Sequence, residues 1–227
     1  MSLAIVSIAF AANAQTLKSK KGENYLPEKG DWSIGFNMDG MFGYIGNIFN
    51  GTVDNSAPSV DFVQDATFVG KRFTSDNTAT RYTANLGFYS DKSGDNSYSG
   101  FDLTAGYGKE WRRGKTRLQG FYGFDALLMV SSASSETVDP DDAAIKTKFS
   151  SGMGLGVGVN GFIGAEYFIF PKISMGAQYN YGLGLMSQGK SKTETTGEPT
   201  VNGNSSSSFG LGNVGVNGGS ISVNLHF

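Results

Sequence analysis

The chain has 227 residues, enough for one sizeable domain, and its 18 basic and 20 acidic residues leave a formal net charge of −2. That balance excludes bulk electrostatic attraction to nucleic acid or an anionic surface, and the absence of cysteine excludes disulfide staples, thiolate metal sites and a thiol nucleophile. Charged residues make up 17%, glycine reaches 33 residues and aromatics 13%, a mixture that suits strands facing lipid on one side; a soluble glycine-rich sandwich is the competing reading.

From the N-terminus, 3–12 is apolar or small except for Ser7, and Ala12-Asn13-Ala14 precedes Gln15. This is the pattern of a secretory signal peptide, predicted at 1–14, although the usual basic n-region is missing and an upstream start is expected. The run is too short to cross a bilayer as a helix, and no other stretch approaches about 18 apolar residues. Any membrane insertion must therefore use strands. Residues 15–30, with Lys18, Lys20 and Lys21, read as a polar periplasmic arm before a domain at 31–227.

Period-two alternation then predicts eight strands. The first, 32–45, sets Trp32, Ile34 and Phe36 against Ser33, Gly35 and Asn37. A loop at 47–59 leads to the second, 60–73, and Ser75-Asp76-Asn77 makes a tight turn. The third, 78–90, puts Tyr82, Ala84, Leu86 and Phe88 opposite Arg81, Thr83 and Asn85, and a polar loop is expected at 91–97. The fourth, 98–111, ends on a short basic turn, 112–115. The fifth, 116–131, has Leu118, Tyr122, Phe124 and Leu128 on one face; Phe121, Leu127 and Met129 spoil the polar one. An acidic, serine-rich loop, 132–146, precedes the sixth strand, 147–170, and Pro171-Lys172 turns into the seventh, 173–187. A long polar loop, 188–207, leads to the last strand, 208–227, where Ile221, Val223, Leu225 and Phe227 alternate with Ser220, Ser222, Asn224 and His226.

Eight is an even strand number, and the connections alternate between long (47–59, 91–97, 132–146, 188–207) and short (74–77, 112–115, 171–172). The expected fold is an all-β, eight-stranded antiparallel up-and-down transmembrane β-barrel, its short turns and both termini periplasmic.

Three stretches carry a resemblance: Lys29-Gly-Asp-Trp-Ser-Ile-Gly35, Glu166-Tyr-Phe-Ile-Phe-Pro-Lys-Ile-Ser-Met-Gly-Ala177, and the strand ending in Phe227. Together they resemble the small outer-membrane β-barrel proteins of the Bacteroidota. The resemblance implies an architecture and an outer-membrane location, and no catalytic residues. It also makes Ile221, Val223, Leu225 and Phe227 the expected signal for the outer-membrane assembly machinery. The other expected partners are the lipid bilayer with its lipopolysaccharide, and an envelope protein complex; neither nucleic acid nor a cofactor is expected.

The inward phase collects Asp39, Asp65, Lys71, Arg81, Asp102, Glu110, Arg117, Asp125 and Glu166. An eight-stranded barrel is only wide enough for its side chains to fill it, so these charges must pair or become neutral. They are expected to plug the interior of a structural or protein-interaction protein. The alternative is a narrow pore or small-solute channel lined by Asp39, Arg81, Asp102, Asp125 and Glu166. Trp32, Tyr44, Tyr107, Trp111, Tyr167 and Tyr179 are expected at the lipid interface. An enzyme is disfavoured because the only histidine, His226, falls at the end away from an extracellular rim. Asp139, Asp141 and Asp142 read as a solvated acidic loop without calcium-loop spacing. Alternate glycines such as Gly152, Gly154, Gly156 and Gly158 lack the Lys-Ser/Thr of a phosphate-binding loop; on the inward face they are expected either to relieve crowding where the barrel bends or to make room for large neighbours such as Phe121 and Phe162.

Overall fold

The computed structural model describes residues 17–37, 66–212 and 218–227. The predicted signal peptide, the first strand beyond residue 37, the loop at 47–59 and the start of the second strand lie outside these, as do Asp39, Tyr44 and Asp65.

Among the described residues every element is a β-strand: β1 Trp32–Asn37, β2 Ala66–Ser75, β3 Thr78–Ser93, β4 Asn96–Arg113, β5 Leu118–Val138, β6 Lys146–Ser150, β7 Gly154–Phe170, β8 Ile173–Gln188, β9 Lys192–Thr195, β10 Val201–Asn202, β11 Ser206–Gly212 and β12 Gly219–His226. All pairings are antiparallel. Eight strands close on themselves in the order β1-β2-β3-β4-β5-β7-β8-β12, and β12 returns to β1 through pairs such as Ile34 with Leu225.

The remaining strands extend this ring at one end. β11 and β12 lie along successive halves of β8, so the described parts of the predicted strand 208–227 share one lane. The predicted strand 147–170 is divided into β6 and β7. At the break, Ser151 N donates to Ala133 O at 2.8 Å, and a Cβ on Gly152 would come within 2.2 Å of the Gly189 carbonyl carbon. Only glycine allows the two backbones to cross so closely. β9 and β10 form inside the stretch expected to be a loop at 188–207.

Two other expected loops shrink. The loop at 91–97 is a hairpin whose pairing runs to Ser93 with Asn96. Its two-residue turn starts at Gly94, whose φ of 62° suits a tight hairpin. β5 continues to Val138, which leaves 139–145 as the connection to β6. These ribbons are polar on both faces, so alternation could not reveal them.

The N-terminal arm is folded as well. It makes a small hairpin, with Tyr25 N donating to Leu17 O at 2.9 Å, and then packs across the end of the ring that carries the short turns. Gly30 N donates to Phe73 O at 2.8 Å, Pro27 is buried, and Arg117 lies over the Tyr25 ring at 4.5 Å.

Burial alternates along β3, β4, β5, β7 and β8 where they enclose the ring, as the pleat requires. The enclosed face is the polar one. Among the described residues of the strands, sixteen buried side chains are polar or charged and seven are apolar, the reverse of a water-soluble core. The outer face is apolar, with Tyr107, Ile163, Leu185 and Phe209 all more than half exposed.

The enclosed face packs by a size rule read across the strands. Phe121 is paired with Gly164, Phe162 with Gly123, Met129 with Gly156, and Leu127 with Gly106. A Cβ on Gly164 would meet Phe121 Cζ at 2.4 Å, and one on Gly123 would meet Phe162 Cζ at 2.5 Å. The apolar residues that spoil the polar phase of β5 thus fill the notches left by glycine.

Candidate functional site

The alternation of β2, β3, β4, β5 and β7 aims Lys71, Arg81, Glu110, Asp125 and Glu166 at one point inside the ring, each at most 2% exposed. Glu110 is the hub. Lys71 Nζ lies 3.0 Å from its Oε2, Arg81 Nη1 3.2 Å from Oε2, and Arg112 Nη1 3.3 Å from Oε1. Arg81 Nε also donates to Asp125 Oδ2 at 3.2 Å, where Thr83 Oγ1 donates at 3.2 Å. Glu166 accepts from Arg112 Nη2 and lies 3.6 Å from Lys71 Nζ. Three cations therefore meet three carboxylates, and the net charge of the cluster is zero. Lys71 and Arg81 face each other directly in register, a like-charge pair that would repel without Glu110 between them.

Each cation also rests on a ring: Arg81 over Phe162 at 4.0 Å, Lys71 over Phe121 at 4.8 Å, Arg112 over Phe73 at 5.4 Å. Desolvating charges this completely costs several kcal/mol each. Only a network with nearly every donor and acceptor used can offset that.

Two members depart from the expectations. Arg112, read as part of a basic turn, is 2% exposed inside the ring, where its Nε donates to Gln119 Oε1 at 2.8 Å. His226, placed at the end away from an extracellular rim and not counted with the interior charges, is 5% exposed, and its Nε2 lies 3.0 Å from Glu166 Oε1 and 3.1 Å from Ser174 Oγ. Both were visible as continuations of an inward phase, Glu110 to Arg112 and Asn224 to His226.

Two expected members lie elsewhere. Asp102 shares the phase of Thr104 but is exposed, beyond the buried part of the ring. Arg117 precedes β5 and works at the turn: its Nε donates to Phe168 O at 2.7 Å, and its guanidinium sits between Tyr25 and Tyr167. On the outer face, Trp32, Tyr107, Tyr167 and Tyr179 are exposed and Trp111 is half-buried. Ile221, Val223, Leu225 and Phe227 line the outer side of β12, with Phe227 70% exposed.

Ser174, His226 and Glu166 bring a hydroxyl, an imidazole and a carboxylate together, so their geometry matters. In a nucleophilic relay the acid and the hydroxyl occupy opposite ring nitrogens. Here both crowd Nε2, while Nδ1 is buried with no partner among the described residues. Ser174 and Glu166 are fully buried, so no substrate reaches them. The arrangement holds the end of β12 to β7 and β8; it does not activate a nucleophile.

Above the cluster is a polar cavity of about 40 Å³, walled by Thr67, Thr83, Asn160, Gln178, Asn180 and Asn224; that is room for a few waters. Below it, toward the short turns, Phe73, Ala79 and Phe168 form a buried apolar layer. The docked arm lies under that layer. Among the described residues no group of His, Cys, Asp and Glu has the arrangement of a metal site.

Compared with protein families, curated proteins and solved structures, the chain has no match.

Proposed function

We propose that this chain is an integral outer-membrane β-barrel of structural or protein-interaction role, with its interior plugged by the ionic cluster. One observation carries the reading: a closed ring of eight strands that is charged inside and apolar outside. Leu155, Val157, Val159, Ile163 and Tyr167 on β7, with Tyr179, Tyr181, Leu183 and Leu185 on β8, all stand exposed on one continuous face. In water such a surface would drive association; in a bilayer it is the expected wall of a barrel. Closure also removes the free strand edges that hydrocarbon does not tolerate. The aromatic residues near the short turns fit an interfacial girdle.

The signal-peptide pattern, the resemblance to the small Bacteroidota barrels and the terminal strand support an outer-membrane location reached through the assembly machinery. The short turns and both ends then face the periplasm, and lipopolysaccharide surrounds the opposite end. The 138–146 and 189–205 segments, with the β3–β4 hairpin, form the surface available to an envelope partner.

The pore alternative draws on the polar cavity above the cluster. Against it stand the ion pairs of Glu110 and Glu166, the apolar layer of Phe73 and Phe168, and the docked arm, three barriers in series. Purified protein refolded into a planar bilayer is expected to give no steady current. A selective, steady conductance would replace the plug with the pore.

A further inference from the structure

Several cations in the outward phase have no carboxylate partner among the described residues, and two of them lie side by side away from the strand tips. Arg72 on β2 and Lys109 on β4 are exposed, and among the described residues neither has a carboxylate partner. Register places them in one lateral row: Trp32 pairs with Arg72, Arg72 with Thr80, and Thr80 with Lys109. Two strand spacings separate the cations, about 10 Å between backbones, within reach of two long side chains converging above the Thr80 hydroxyl.

The row is framed by aromatic rings. Trp32 stacks on Tyr82 at 6.3 Å, and Tyr82 meets Tyr107 edge-on at 5.6 Å. Arg72 lies 5.5 Å from the Trp32 ring, and Lys109 5.4 Å from that of Trp111. Among the described residues, the only Asp or Glu in the outward phase of β2, β3, β4 and β5 is Glu136, at the far end of β5 from this row. Two cations and a hydroxyl without a counter-charge, set between an apolar wall and the turn end, are complementary to a phosphate that carries hydrocarbon chains.

We propose that Arg72, Thr80 and Lys109 bind the phosphate of an anionic phospholipid, with its acyl chains lying along Tyr82 and Tyr107. This rests on the transmembrane reading above. The row lies at the short-turn end, which that reading places in the phospholipid leaflet, so the occupant is a phospholipid and not lipopolysaccharide. Cations in this position snorkel toward the headgroups, and the paired charges select an anionic lipid from its neighbours.

The test is native mass spectrometry of the full chain, refolded in micelles with added phosphatidylglycerol. Wild type is expected to retain bound lipid, and the Arg72→Gln/Lys109→Gln double variant to lose it by about tenfold. A Lys92→Gln/Lys148→Gln control, at the opposite end, is expected to keep it. Excess inorganic phosphate should not displace the lipid; if it does, the site reads free phosphate and the lipid assignment falls. Displacement by lipid A through the same two cations would overturn the phospholipid occupant. Insertion into vesicles is scored in parallel for each variant. A chain that does not insert overturns the transmembrane reading and the site with it. A double variant that inserts normally and retains the lipid overturns the site alone.

Discussion

Lys71 and Arg72 are neighbours in sequence and live in opposite environments. Lys71 points into the ring, is 2% exposed, and is surrounded by Glu110, Glu166 and the face of Phe121. Arg72 points out, lies beside the Trp32 ring and has no carboxylate partner among the described residues. The same change of side separates Glu110 from Trp111 and Arg112 from Arg113. One residue of register thus decides whether a charge must be neutralised by the protein or is left for its surroundings. The inner wall is close-packed and electrically balanced, whereas the outer wall is apolar with its charges at the rims. The two walls should accordingly respond to substitution in opposite ways.

The largest expected effect is at the hub of the inner wall. Glu110→Gln removes the one carboxylate that Lys71, Arg81 and Arg112 share and leaves the buried cluster with an excess positive charge, and breaking a buried pair typically costs about 3–5 kcal/mol. Urea unfolding of the refolded protein should show that loss, and Arg72→Gln on the outer wall should leave the midpoint almost unmoved. Equal, small effects would mean that the cluster is not the interior support described here. Next comes a charge placed on the outer wall. Val157 is exposed in the middle of the apolar face, and Val157→Lys should cost about 2–4 kcal/mol in a bilayer. A wall that faced water would accept the same lysine without loss.

Glycine sharpens the contrast at a smaller scale. A Cβ on inward Gly123 would come within 2.0 Å of Lys109 O, while one on outward Gly120 would meet nothing closer than 3.9 Å. Gly123→Ala is expected to destabilise by about 1–3 kcal/mol, and Gly120→Ala by less than about 0.5 kcal/mol. Thermal unfolding of the pair separates the two outcomes.

The smallest effect lies at the docked arm, where Lys172 pairs with Asp31 in a partly exposed setting. Burial pushes the Asp31 carboxyl up, but the Lys172 hydrogen bond, the Glu28 amide and the Lys172 charge outweigh it, so the group stays below its ordinary value of 3.8. A depressed carboxyl contributes stability above its unfolded value and loses it as pH falls through the folded value. Asp31→Asn should cost no more than about 1 kcal/mol near neutral pH, and the difference from wild type should vanish on acidification. A difference that persists in acid would assign the effect to packing of the arm.

The strands were legible in the sequence wherever one face is apolar and the other polar. β3, β7, β8 and β12 could be read almost residue by residue because their outward sets are nearly pure. Legibility failed where both faces are polar, as in the β3–β4 hairpin beyond Tyr89 and in β6, β9 and β10, since register without a buried face leaves no pattern. In the cluster, Lys71, Arg81, Glu110, Asp125 and Glu166 were readable from phase alone. Arg112 was hidden by its company: Arg-Arg-Gly-Lys looks like a turn, yet counting in twos from Glu110 carries the inward face one residue further. His226 was weighed by its distance from the far rim, when its phase with Ser222 and Asn224 already placed it inward. Asp102 and Arg117 show the converse, because phase says which way a side chain points and not how far along the ring it sits.

The central claim is that the apolar outer wall faces lipid, and the chain carries its own reporters. Its two tryptophans are Trp32 and Trp111, both on the outer phase near the short turns. Refolding into vesicles of lipids with brominated acyl chains should quench the fluorescence of both, relative to ordinary lipids, with the protein remaining in the vesicle fraction. Unquenched emission from protein that stays in the aqueous fraction would contradict the account.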